Sequence, residues 1–209
     1  MTKLLHHYLA SIFAFSALVF LLQSCTEDNY FPKPRGYPRV ELPNHAYQSY
    51  QPDNCPFQFE HPTYANIIND PSLLIGGRKV PPPNACWMDV DFKDLNAKIH
   101  LSYKDMSKQG DNLGKLIEDA YKMNSKHVMK ADYMEDSAFI TKNGVFGIFY
   151  EIGGDAATST QFFVTDSINH FVWASLYFSS PPNEDSIAPM VNFIRKDIDQ
   201  MINSFEWKE

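Results

Sequence analysis

An apolar run near the N-terminus, residues 4–22, ends close to a cysteine and limits which part of the chain can fold. Lys3 precedes the run, and the small residue Ser24 directly precedes Cys25. This order is typical of a lipoprotein signal peptide. We therefore expect cleavage before Cys25 and lipidation of its thiol. The alternatives are an uncleaved membrane anchor, or an ordinary secretory signal followed by a chance cysteine.

The predicted cleavage also defines the compartment and the charge of the mature protein. Residues 1–24 contain one lysine and no acidic residue, so their removal changes the formal charge from −7 to −8. Each acyl CH2 group that enters a bilayer contributes about 0.8 kcal/mol, so a multiply acylated cysteine anchors the protein permanently. An acidic chain disfavours nucleic acid and anionic lipid as partners. We expect a lipid-anchored cell-envelope protein that faces the periplasm rather than the outside of the cell.

Two further cysteines, Cys55 and Cys86, remain after lipidation of Cys25. In an oxidising compartment, an even pair of cysteines predicts a structural disulfide. Such a bond would close a loop of about 30 residues and stabilise the fold by roughly 3–4 kcal/mol in the chain-entropy account. A redox pair or a metal site is the alternative. The spacing is far from that of a CxxC motif, and no cluster of ligands accompanies the pair.

Proline divides the chain into a tether and a folded domain. Eleven of the fourteen prolines lie between residues 32 and 83. Proline fixes its own φ and biases the preceding residue toward extended backbone. We expect residues 25–56 to form a Pro-rich, aromatic-rich tether that lies partly on the domain or binds a partner. Residues 57–209 are predicted to form the domain.

The tether carries one basic cluster, set among aromatic residues and prolines: Lys33, Arg35, Tyr37 and Arg39. A solvated spacer is one interpretation of these side chains. Partner binding is the other, because arginine and tyrosine are favoured interface anchors and a proline-rich segment loses little entropy on binding. We name these four residues as candidate partner-binding residues.

Alternating hydrophobicity predicts six strands, at residues 57–60, 97–104, 138–141, 145–152, 161–165 and 170–178. Between the third and fourth of these strands, Asn143 and Gly144 predict a two-residue type I′ turn. The last strand is apolar on both faces, which predicts a position in the middle of a sheet with a layer on either side.

Two segments place apolar residues three and four positions apart, as amphipathic helices do. The first comprises residues 113–123 and is capped by Asp111 or Asn112. The second is predicted to begin close to Ala188, because Pro189 is best tolerated in a first helical turn. Two amphipathic helices that cover a mostly antiparallel sheet define the α+β fold class.

Asp166, Ser167 and His170 are the residues closest to a catalytic constellation. These residue types occur together in hydrolases, but Ser167 lacks a nucleophile elbow and residues across one turn rarely adopt triad geometry. We interpret them as turn residues that bond to the backbone. A lipid-anchored hydrolase or small-ligand binder that uses all three is the alternative. Asp197 and Asp199 are assigned to the solvated face of the last helix, and neither a metal nor a cofactor is predicted.

Short stretches along nearly the whole mature chain follow one family pattern: residues 25, 33–39, 55–57, 64–65, 99–104, 161–167, 170–171, 176–178, 182–183, 185–186 and 204–207. In order and spacing they resemble the GldD family of gliding-motility-associated lipoproteins. The resemblance implies a non-enzymatic envelope component without a cofactor. It also implies a role in surface gliding and the linked type IX secretion system, with other gliding and secretion proteins as partners. The order of elements also resembles the PsbP-like α/β/α sandwich, an adaptor fold in other settings.

Overall fold

The computed structural model describes residues 40–69, 86–107, 112–125 and 130–208 of the chain. These residues lie within one compact unit, Tyr37–Glu209. The described ranges contain two antiparallel sheets, two α-helices and the short 3-10 helix Lys93–Leu95.

The strands in chain order are β1 (Tyr47–Tyr50), β2 (Phe57–Pro62), β3 (Asn66–Ile68), β4 (Trp87–Phe92), β5 (Ala97–Asp105), β6 (Ala131–Ile140), β7 (Phe146–Gly154), β8 (Thr158–Thr165), β9 (His170–Phe178) and β10 (Glu206–Trp207). The large sheet has the order β3-β4-β5-β9-β8-β7-β6, and the small sheet has the order β1-β2-β10. All of the paired neighbours are antiparallel.

Strand β9 lies in the middle of the large sheet, between β5 and β8, as its two apolar faces predict. Val172 and Leu176 enter one hydrophobic core, whereas Phe171 and Trp173 enter another. Successive side chains of a strand point to opposite faces, so the two cores lie on opposite sides of the sheet.

The first core lies between the large sheet, helix α2 (Glu184–Ser204) and the small sheet. The buried apolar residues of α2 are Ile187, Ile194, Ile198, Met201 and Ile202. The ring of Phe205 stacks on Phe57 and Phe59, with centroid separations of 5.3 and 6.0 Å. Complete burial of one such side chain contributes about 1.5–3 kcal/mol, so this layer is a large source of stability.

The second core lies under helix α1 (Leu113–Ser125). Leu116 and Ala120 of the helix are buried in it. The side chain of Asn112 accepts the backbone N–H of Lys115 at 2.9 Å, which confirms one of the two predicted caps. The other, Asp111, lies outside the described residues.

Helix α2 begins at Glu184, before the start predicted near Ala188. The side chain of Asn183 accepts the backbone N–H of Ser186 at 3.0 Å. Pro189 consequently lies inside the helix, where it has no N–H to donate to the preceding turn. The predicted start was wrong because the cap at Asn183 and the acidic first turn offset the cost of the proline.

The turn between β6 and β7 also differs from the prediction. The N–H of Thr141 donates to the carbonyl of Val145 at 2.9 Å, and the N–H of Gly144 donates to Thr141 at 3.0 Å. Gly144 has a φ of 74°, whereas Asn143 is not among the residues with positive φ. A type I′ turn needs positive φ at both central residues, so this is a three-residue loop closed by a left-handed glycine.

The six predicted strands and both helices are present in the structure, and the α+β class with a mostly antiparallel sheet is confirmed. The short strands β1, β3, β4 and β10 were not predicted. Strand β1 lies within the residues assigned to the tether and pairs with β2. The end of the predicted tether therefore packs on the domain, one of the two roles expected for that segment.

Candidate functional site

The predicted lipidation site and the basic cluster lie outside the described residues: Cys25, Lys33, Arg35, Tyr37 and Arg39. Their roles therefore stay predictions.

Cys55 and Cys86 come together at the base of the first core, and both are buried. Their Cα atoms lie 5.6 Å apart, a separation that suits a disulfide. Cys55 precedes β2 of the small sheet and Cys86 precedes β4 of the large sheet, so a bond between them would join the two sheets.

The carboxylate of Asp166 is bonded to the backbone of its own turn. Its Oδ1 atom accepts the N–H groups of Ile168, Asn169 and His170 at 3.0, 2.9 and 2.8 Å. Burial acts to raise the pKa of this carboxyl, but the three hydrogen bonds and nearby His170 together lower the pKa below its usual value. Asp166 thus closes the turn, as the sequence interpretation expected.

The ring of His170 is not arranged as the histidine of a catalytic triad with Asp166. Its Nδ1 atom lies 2.9 Å from the hydroxyl of Tyr103, and the ring stacks on Trp207 at 5.1 Å. In a triad the carboxylate would instead accept the ring N–H. Ser167 has a φ of 68° and donates its backbone N–H to the hydroxyl of Thr165 at 2.9 Å. The structure brings the three residues into one turn but does not align them as a triad.

A buried carboxylate that sequence analysis missed lies on helix α2. Asp197 has no exposed surface, although it was assigned to the solvated face. Nδ1 of His45 donates to Oδ1 at 2.7 Å, and the hydroxyl of Tyr47 donates to the same atom at 3.1 Å. The hydroxyl of Tyr64 donates to Oδ2. We call these four residues the Asp197 clasp.

The clasp joins three separate parts of the chain, because its donors lie before β2 and between β2 and β3, whereas the acceptor is on α2. The ring of Phe193, one helical turn from Asp197, stacks on His45 with a centroid separation of 4.3 Å. Burial, and then the charge of Asp197, raise the pKa of Tyr47 to about 12. Burial and the hydrogen bond to Asp197 raise the pKa of Tyr64 further. Both phenols therefore stay neutral donors at physiological pH.

The signal that could have revealed the clasp is the position of Asp197 in the helical repeat. It follows Ile194 by three positions and precedes Met201 by four, and both residues are buried. A carboxylate on the apolar stripe of a helix needs partners from the layer that the stripe covers.

A second polar group lies across β4 and β5. The Oδ1 atom of Asp89 lies 2.6 Å from Nδ1 of His100, and Oδ2 lies 3.7 Å from Nζ of Lys98. His100 is paired in register with Ser175 of β9, which is paired in turn with Gln161 of β8. Nζ of Lys98 also lies 3.9 Å from Oδ1 of Asp91, so the lysine lies between two carboxylates on a partly buried sheet face.

No group of three or more potential metal ligands occurs within residues 40–69, 86–107, 112–125 and 130–208. In the same part of the chain, the helices are too short or too polar to span a membrane.

Comparison with protein families identifies the class to which the chain belongs. The family model described as gliding motility lipoprotein GldD matches residues 27–207. The chain belongs to the GldD family. As a member of this lipoprotein family it is a membrane-associated envelope protein that is involved in gliding motility. The match extends from two residues after Cys25 almost to the C-terminus.

Solved structures with similar folds include two proteins with low sequence identity to this GldD-family chain. Cyanobacterial PsbP from Synechocystis aligns at 9% identity with a TM-score of 0.45, over 81% of this chain and 97% of its own. The Ran-binding protein Mog1p of Saccharomyces cerevisiae aligns at 12% identity with a TM-score of 0.44, over 78% of this chain and 96% of its own. No curated protein matches the chain in sequence.

Proposed function

We propose that this GldD-family protein is a lipid-anchored, non-catalytic adaptor or assembly factor of the cell envelope. In this role it supports gliding motility and the linked type IX secretion machinery, together with other envelope proteins of those systems. The observation that carries the proposal is the family match, which spans residues 27–207 and so includes the tether as well as the domain.

The local geometry at Asp166 favours an adaptor over the alternative hydrolase. A hydrolytic triad needs a carboxylate that orients the histidine ring. Asp166 instead accepts three backbone N–H groups, and the Nδ1 atom of His170 faces Tyr103.

The proposal assigns one task to each part of the chain. Residues 1–24 direct export and are removed, and Cys25 carries the lipid. The part of the tether that precedes residue 40 spans outward from the membrane, whereas the packed end of the tether and residues 57–209 together dock a partner. The protein faces the periplasm in this arrangement. The Cys55–Cys86 disulfide is expected to form there, because the compartment is oxidising.

Mass spectrometry of the protein purified from cells tests the anchor. The mature chain is expected to begin at Cys25 and to carry fatty acyl mass. A Cys25→Ser variant should lack the acyl mass and should no longer be found in the membrane fraction. A mature chain that begins elsewhere without acyl groups would contradict the anchor.

A strain that lacks the protein tests the motility role. Gliding and type IX secretion are both expected to fail and to return with the wild-type gene. The Ser167→Ala, His170→Ala double variant then separates the two mechanisms. An adaptor retains gliding at equal protein level and stability, whereas a hydrolase loses it.

A further inference from the structure

A cleft of about 320 Å³ opens between the end of the predicted tether and the 3-10 helix Lys93–Leu95. Leu42 and Pro43 form one wall, and Phe92 and Leu95 lie on the domain side. Phe92 and Leu95 are buried, whereas Leu42 keeps 42% of its surface exposed. The cleft therefore combines a fixed apolar floor with one partly exposed apolar wall.

Among the residues that the structure describes, the charged ones that line this cleft are both acids. Glu41 lies on the tether side and Asp94 lies on the 3-10 helix, and both are exposed. Lys93 is next to Asp94 in sequence but does not line the cleft. A cation that enters the cleft is therefore attracted by acidic residues on both of its sides.

The Asp197 clasp holds the tether wall in place. His45 and Tyr47 follow the wall residues in sequence and both donate to Asp197. Tyr64 belongs to both features, because it lines the cleft and its hydroxyl donates to Asp197. Because the clasp orders this wall before a ligand binds, the wall loses little conformational entropy on binding. The buried carboxylate of Asp197 thereby preorganises the cleft.

We propose that this cleft binds an extended segment of a partner protein through one arginine or lysine side chain flanked by apolar residues. The aliphatic stem of such a side chain packs on apolar surface while its charged head meets the carboxylates. The volume is at the lower end of the range for ligand sites, so it suits one long side chain rather than a large cofactor. Removal of the signal peptide with Lys3 changes the formal charge from −7 to −8, and this negative charge favours a basic partner over an acidic one. This inference rests on the proposed adaptor function and specifies the chemistry of its partner.

A peptide titration tests the cleft without knowledge of the partner. The probe is an acetylated and amidated tripeptide of leucine, arginine and leucine, added to isotope-labelled mature protein and followed by NMR. Saturable shift changes are expected at the amides of Leu42, Tyr64 and Leu95. The analogue with glutamine in place of arginine should bind about fivefold to tenfold more weakly, as the loss of two partly exposed ion pairs predicts.

Paired variants locate the interaction. The Glu41→Gln, Asp94→Asn variant should weaken binding of the arginine peptide by about fivefold to tenfold. The control, Glu118→Gln with Asp119→Asn, removes the same charge from exposed positions of α1 and should bind as wild type does. Equal affinity of both variants, or shifts elsewhere on the surface, would overturn the proposal.

Gliding assays separate failure of the cleft from failure of the proposed function. If the Glu41→Gln, Asp94→Asn strain stops gliding at normal protein level while the control strain glides, the cleft is the partner site. If that strain glides normally and the null strain does not, the adaptor function stands and the cleft proposal fails. If the null strain itself glides, the proposed function fails.

Discussion

Asp197 is a charged residue that has no exposed surface, on a helix face that is otherwise apolar. Transfer of an isolated carboxylate from water into a protein interior costs several kcal/mol, so such a group persists only where donors surround it. His45, Tyr47 and Tyr64 supply those donors. The clasp consequently makes folding of the tether end and docking of α2 depend on each other.

Replacement of Asp197 by alanine is expected to lower the free energy of unfolding by about 1–3 kcal/mol, because it leaves three partly buried donors without their acceptor. The matched control is Asp199→Ala, which removes a carboxylate that is 53% exposed and pairs with Arg195 on the same helix. The Asp199→Ala change should lower the free energy of unfolding by less than about 1 kcal/mol. Urea denaturation of both variants measures the difference, and equal losses would contradict a stabilising role for the clasp.

The raised pKa of Tyr47 predicts a loss of stability in alkali. Its pKa is about 12 in the folded protein and about 10 in an unfolded chain. The folded state thus holds the proton more tightly, so the stabilisation is present below about pH 10 and is lost as the pH rises toward about 12.

Ultraviolet absorbance and urea denaturation as functions of pH measure this transition. In a Tyr47→Phe variant, one tyrosine fewer should ionise at high pH. Its free energy of unfolding should also fall less steeply than that of the wild type between about pH 10 and 12. The control is Tyr121→Phe, which removes the hydroxyl of a tyrosine that is 62% exposed and is not part of the clasp. A Tyr47→Phe protein whose alkaline titration matches that of the wild type would refute the assignment.

At the scale of single elements, the edge strand β6 is held to β7 by aromatic rings that lie over glycines. The ring of Phe139 covers Gly147, and the ring of Tyr133 covers Gly153. A glycine in a strand leaves space that a cross-strand aromatic ring can fill, which compensates for its low strand propensity. Gly147 is also close to the carbonyl oxygen of Phe163 on the other neighbouring strand.

A Gly147→Ala variant is expected to be less stable by about 1–3 kcal/mol, because the added methyl group would overlap both the Phe139 ring and the Phe163 backbone. Gly114→Ala in α1 is the control, since its nearest neighbour is the Asn112 side chain at 3.4 Å. Alanine favours a helix over glycine by up to about 1 kcal/mol, so this control should be neutral or stabilising. Thermal or urea unfolding distinguishes the two, and a stabilised Gly147→Ala protein would exclude close packing at this strand pair.

At the scale of the whole molecule, two helices and a small sheet cover one large sheet, and its two faces carry separate cores. The small sheet takes β1 from one end of the domain and β10 from the other, with β2 between them. The N-terminal and C-terminal ends of the described chain are thereby fixed to the same layer.

The cysteine pair is expected to join this layer to the large sheet. Replacement of Cys55 and Cys86 by serine should lower the free energy of unfolding by about 2–4 kcal/mol. Reduction of the wild-type protein should have a similar effect and serves as the control. Thiol titration of denatured, unreduced mature protein gives the direct count, and the presence of free thiols would contradict the disulfide.

Much of the fold could be predicted because long elements carry complete periodic patterns. Strand β9 shows apolar residues on both faces, which required a central place in the sheet. The short strands β3 and β10 contain too few residues for a pattern. Strand β4 does alternate, because Asp89 and Asp91 separate the buried residues Met88, Val90 and Phe92. Aspartate is rare in strands, however, and so concealed the signal.

The sequence by itself determined the expected anchor at Cys25, the α+β class, the long strands, both helices and the family. Each of these depends on neighbours in the chain, on short periods, or on the order of many residues. Only the tertiary structure decided which residues bond to Asp197, that β1 joins the domain, and that a cleft forms beside Glu41 and Asp94. The helical repeat places Asp197 on an apolar stripe, but its partners His45 and Tyr47 lie about 150 positions away, and contacts over that distance depend on how the layers pack.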